Sequence, residues 1–67
     1  MRFLRKWEAA ERVGYHPEHI MRLVRQGEFP KPVSIGPRAI AFVESEVEDW
    51  MAARVKERDE ELPEAAS

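Results

Sequence analysis

A mainly α-helical fold carrying one small β-hairpin is what this 67-residue sequence predicts, and three observations predict it. Apolar residues recur at helical spacing over Lys6 to Val13 and again over Pro17 to Gln26, with a glycine and a proline between the two runs. Two short alternating segments, Val33-Ser34-Ile35 and Ile40-Ala41-Phe42, flank Gly36-Pro37-Arg38-Ala39, as the arms of a hairpin flank its turn. A further helical pattern starts at Glu44. A chain this short buries only about 60% of its unfolded surface, which limits it to one small domain.

In the first helix Trp7, Ala10 and Val13 are expected inside, and Glu8, Glu11 and Arg12 outside. Gly14 stops it, because a residue without Cβ closes a helix at little steric cost. Tyr15-His16-Pro17 restarts helix, since proline suits the first helical position, and His16 falls at the N-cap. The second helix, Pro17 to Gln26, directs Ile20, Leu23 and Val24 inward and Glu18, Arg22 and Arg25 outward, with His19 and Gln26 flanking. Gly27 and the prolines of Phe29-Pro30-Lys31-Pro32 end it. The hairpin follows with Arg38 at its tip, one face of it expected to be buried. In the third helix Val43, Val47, Trp50, Met51 and Val55 are spaced to pack inward. The expected order is α-turn-α-β-β-α, that of a winged helix-turn-helix, over residues 1–58. Residues 59–67 are acidic and proline-broken and read as a disordered tail.

The net charge of -2 averages two unlike halves. Residues 1–43 carry eight basic against four acidic residues, a net of +4, while residues 44–67 carry three against nine, a net of -6. The first half suits phosphate and the second is expected to face away from it. With no cysteine there is neither a disulfide nor a thiolate metal site, and a reducing, cytoplasmic setting is expected. No run approaches the roughly 20 apolar residues of a membrane span. Catalysis finds no Ser/His/Asp or Cys/His set and no glycine-rich phosphate loop. His16 and His19 lie three apart but have no third ligand nearby, so neither a metal nor another cofactor is expected.

The pattern that carries chemistry is a polar helix beside a basic loop. A major groove about 12 Å wide admits one helix, whose outward side chains reach base edges. Glu18, His19, Arg22 and Gln26 are the expected readers of duplex DNA. Arg22 can give two parallel hydrogen bonds to guanine, Gln26 can pair both ways with adenine, and Glu18 can accept from cytosine. Arg38, between proline and alanine at a loop tip, suits the narrow minor groove. Arg5, Lys6, Arg25 and Lys31 are expected to meet phosphates, contacts that set register without choosing sequence. Trp7, Phe42 and Trp50 fall on the apolar sides of their segments and are expected in the core. An adaptor that docks a protein partner through its wing or its acidic third helix is the alternative of a different class.

The stretches Gly27-Glu28-Phe29-Pro30-Lys31-Pro32-Val33, Gly36-Pro37-Arg38-Ala39-Ile40-Ala41-Phe42 and Glu44-Ser45-Glu46-Val47-Glu48-Asp49-Trp50, in this order and spacing, closely resemble the AlpA family of phage and prophage regulators. The resemblance covers about residues 3–56 and departs from the family at Tyr15 and His16, where the family carries a leucine-like and a small hydroxyl residue. It implies a DNA-binding regulator of prophage or mobile-element genes, or an excisionase, with Arg22, Arg38 and Glu18 carried over as contacts. An integrase is the partner implied by the second use. One copy reads too few base pairs to find a site in a genome, so cooperative self-association on repeated half-sites is also expected.

Overall fold

A computed structural model describes residues 1–61 and arranges them as β1 (Phe3–Leu4), α1 (Lys6–Val13), α2 (Pro17–Arg25), β2 (Val33–Gly36), β3 (Ala39–Val43) and α3 (Glu44–Glu61). The helix-turn-helix, hairpin and closing helix follow the predicted winged helix-turn-helix order. Gly14 takes φ +83° and returns its N–H to the Ala10 carbonyl at 2.8 Å, which ends α1 as a left-handed glycine does. His16 caps α2: its Nδ1 accepts the Glu18 N–H at 3.1 Å, and Pro17 occupies the first helical position, where its missing N–H costs nothing. At the other end Gly27 donates to Val24 at 3.0 Å and Glu28 to Leu23 at 2.8 Å, the paired bonds of a Schellman motif.

The sheet has one strand more than the sequence pattern reveals. β1 pairs antiparallel with β3, Phe3 opposite Val43 and Leu4 opposite Phe42, so the strand order is β1-β3-β2. The Glu44 N–H donates to the Arg2 carbonyl at 2.8 Å and continues this pairing by one rung. Two residues are too few to show a period, and this strand exists because β3 offers it an edge.

The core gathers Leu4, Ala9, Ala10, Ile20, Phe29, Phe42 and Val47, with Leu23, Val24, Trp50 and Met51 packed against it. Phe29 sets its ring edge-to-face against Phe42 at 5.5 Å and against Trp50 at 4.9 Å. Three core expectations are corrected. Trp7 is 59% exposed, because Ala9, Ala10 and Val13 centre the inner face of α1 about 110° away from it around the helix. Val55 is exposed as well, at 49%, because it only borders an open hollow with Val13, Tyr15, Trp50 and Met51. The hairpin lacks a cleanly buried face: Ala41, Phe42 and Val43 are buried, whereas Val33, Ile35 and Ile40 are exposed. The disordered tail expected from residue 59 meets helix through Glu61, with no helix breaker in the sequence before Pro63; the rest of that expectation, residues 62–67, lies outside the described residues.

The two halves of unlike charge meet through ion pairs. Arg12 on α1 meets the Glu44 carboxylate at 2.9 Å and Glu48 at 3.5 Å, both on α3, and Arg2 lies 3.8 Å from Glu44. These pairs commit the bases nearest α3 to its acids. Arg5, Lys6, Arg22, Arg25 and Arg38 are left around α2 and the wing.

Candidate nucleic-acid interface

Two adjoining hollows make up the site. The first is about 450 Å³ in volume and runs along α2, lined by His16, Glu18, His19, Arg22 and Arg25. Helical geometry sets this lining, because residues 18, 22 and 25 recur on one face of a rod that rises about 1.5 Å per residue. Arg22 donates to Nδ1 of His19, and the Tyr15 ring stands edge-on to the His19 ring at 4.4 Å, so the middle of the stripe is held by its own neighbours. Glu18 is 75% exposed and reaches Lys6 of α1 at 3.9 Å, an exposed pair of little strength.

The second hollow, about 460 Å³, lies between the start of α1, the start of α2 and the wing, and is lined by Arg5, Lys6, Trp7, Pro17, Arg38 and Ile40. Arg38 stands at the hairpin turn with φ +62°, the only positive φ outside glycine among the described residues. That region disfavours a side chain with a Cβ by about 1–2 kcal/mol, and Pro37 ahead of it presets the turn. The hairpin therefore accepts a backbone cost to carry a guanidinium where glycine would fit more easily.

Of the expected readers, Glu18, His19 and Arg22 share the first hollow, together with Arg25, which was expected to touch phosphate only. Gln26 stands outside both hollows as the C-cap of α2. Lys31, exposed in the connection to β2, also lies apart from them. Arg5, Lys6 and Arg38 come together in the second hollow from 33 residues of separation in the chain. Ile40 joins them there, as does Trp7, a residue that helical spacing assigns to the interior. Among the described residues no cluster of three or more His, Cys, Asp or Glu could hold a metal ion, and His16 and His19 are engaged as helix cap and partner of Arg22.

The model of the family described as "Prophage CP4-57 regulatory protein (AlpA)" matches residues 2–55, from β1 into the exposed half of α3. The chain belongs to the AlpA family. An uncharacterized protein of enterobacteria phage P4, ORF88, is 44% identical to it over 57 residues, which are 85% of this chain and 65% of the phage protein. The chain thus spans just under two thirds of that relative's length. Every residue lining the two hollows falls within the stretch matched to AlpA. The match ends at Val55, which is half exposed. No helix among the described residues of this AlpA-family chain is long and apolar enough to cross a membrane.

Proposed function

We propose that this AlpA protein binds duplex DNA by sequence and regulates transcription of prophage or mobile-element genes. The observation that carries the reading is the adjacency of the two hollows: a polar helix face and a wing with a raised Arg38 open side by side, and bases gather around them. α2 lies in the major groove, where Glu18, His19 and Arg22 meet base edges and Gln26 reaches one from the helix end. Arg38 enters the adjoining minor groove. Arg5, Lys6, Arg25 and Lys31 neutralise phosphates.

One such unit reads few base pairs, so two or more copies bind repeated half-sites cooperatively. The regulatory description of the family favours transcription over excision, a use that would add an integrase as partner. The adaptor alternative docks a partner through the wing or through α3, where Glu48 is paired with Arg12 while Glu46 and Asp49 stand exposed. Selection of bound duplexes from a random pool tests the reading. The expected result is an enriched motif repeated at a fixed spacing, lost for Arg22→Ala; a pool that stays random after selection rejects it.

A further inference from the structure

Major and minor grooves of a duplex share a wall, and that wall is a sugar–phosphate strand. If α2 occupies one groove and Arg38 the next, the strand dividing them has to cross the ground between α2 and the wing. This ground is the second hollow. Its lining is three cations, Arg5, Lys6 and Arg38, and three apolar groups, Trp7, Pro17 and Ile40, and the exposed Glu18 carboxylate comes to its edge at 3.9 Å from Lys6. A nucleic-acid backbone calls for both kinds of partner, since it repeats an anionic phosphate and a deoxyribose with an apolar flank.

Trp7 marks the border of this chemistry. It also lines a separate hollow on its other side, with Arg2, Glu8, Glu11 and Arg12. There Arg12 is bound to Glu44 and Glu48, and Glu8 accepts the backbone N–H of Arg5 at 2.8 Å without losing its charge, so Glu8 and the exposed Glu11 both repel phosphate. At 59% exposure the indole keeps most of its apolar surface in water, and Ile40, 38% exposed, borders the same space. An exposed tryptophan between a ring of cations and an acidic margin has surface left to bury, and only one side of it suits a polyanion.

We infer that this hollow is a saddle for one strand of the duplex, in which Trp7 and Ile40 pack on deoxyribose while Arg5 and Lys6 hold the flanking phosphates. The inference rests on the DNA-reading function proposed above and adds an apolar, sequence-independent contact to it. Its signature is thermodynamic, because a sugar contact releases no counterion whereas a phosphate contact does.

The test measures affinity of the full chain for a selected duplex and for a random 20-bp duplex across a salt series, with folding of each variant checked by far-UV circular dichroism. Trp7→Ala is expected to weaken both duplexes on the order of tenfold and to leave the slope of log K against log salt unchanged. Trp7→Phe is expected to recover most of the loss. Lys6→Ala is expected to make the slope shallower by about one. If Trp7→Ala binds as tightly as the parent while Arg22→Ala still erases sequence preference, the saddle is rejected and the reading helix stands. A Trp7→Ala loss that flattens the salt slope also overturns the sugar contact. A parent chain that binds neither duplex ends both proposals.

Discussion

The indole N–H of Trp50 donates to the carbonyl of Glu28 at 2.8 Å and so ties α3 to the exit of α2. Phe29, the next residue, packs its ring on the same indole at 4.9 Å. The orientation of α2, the helix proposed to read DNA, therefore depends on a helix outside the proposed interface. Trp50→Phe removes one hydrogen bond and part of the packing, and is expected to cost about 1 kcal/mol, or a Tm lower by about 4–8 °C. Trp50→Ala is expected to cost about 3–5 kcal/mol, enough to unfold much of a domain this small. Thermal melting followed by circular dichroism reads both; a Trp50→Ala chain as stable as the parent would contradict this account of the clamp.

Arg38 gives a way to separate stability from binding. Replacing it by glycine relieves the left-handed backbone but gives the unfolded chain more freedom, two effects of about 1 kcal/mol and opposite sign. Arg38→Gly is thus expected to melt within a few degrees of the parent while losing affinity, most of all for duplexes with an A·T-rich flank. Equal affinity of the two proteins for such a duplex would remove Arg38 from the minor groove.

Arg22 and Lys31 are expected to fail differently. Arg22→Ala should cost about 1–3 kcal/mol at one base position and relax the preference there, since it takes away a base contact. Lys31→Ala should weaken all sequences alike and reduce the salt slope by about one. A titration of each variant on matched and random duplexes at two salt concentrations distinguishes them. An Arg22→Ala loss of the same size on both duplexes would make Arg22 a phosphate contact.

At the start of the reading helix, His16 uses Nδ1 to cap the Glu18 N–H. His16→Ala is expected to lose about 1 kcal/mol of stability, and His16→Ser, which keeps a cap acceptor of a favoured type, is expected to match or exceed the parent. Denaturant unfolding of the three chains orders them. A His16→Ala protein no less stable than the parent would mean that the cap carries no weight.

The elements most legible in the sequence were those with punctuation. Gly14, Pro17 and Gly27 each sit where a backbone conformation admits few alternatives, and the two helices they bound appear where expected. What pattern could not reveal depended on distant partners. β1 is a strand only through Phe42 and Val43, some forty positions away, and nothing within Phe3-Leu4 announces it. Trp7 was placed inside because helical spacing allows it; Ala9 and Ala10, small and fully buried, took the inner face instead. The stripe of Glu18, His19 and Arg22 could be read from period alone, since all three ride on one helix. The hollow that joins Arg5, Lys6, Trp7 and Arg38 could not, because it forms only once α1 and the hairpin have docked together.

The clasp of β1 on β3 also orders events in time. Phe3 is made before its partner Val43, with both helices and the hairpin turn between them in the chain. A nascent chain halted at Lys31 would own the reading helix with no third strand or α3 to fix its direction. The helix proposed to read DNA thus acquires its direction late, once β3 has paired with β1 and Trp50 of α3 has bonded to Glu28.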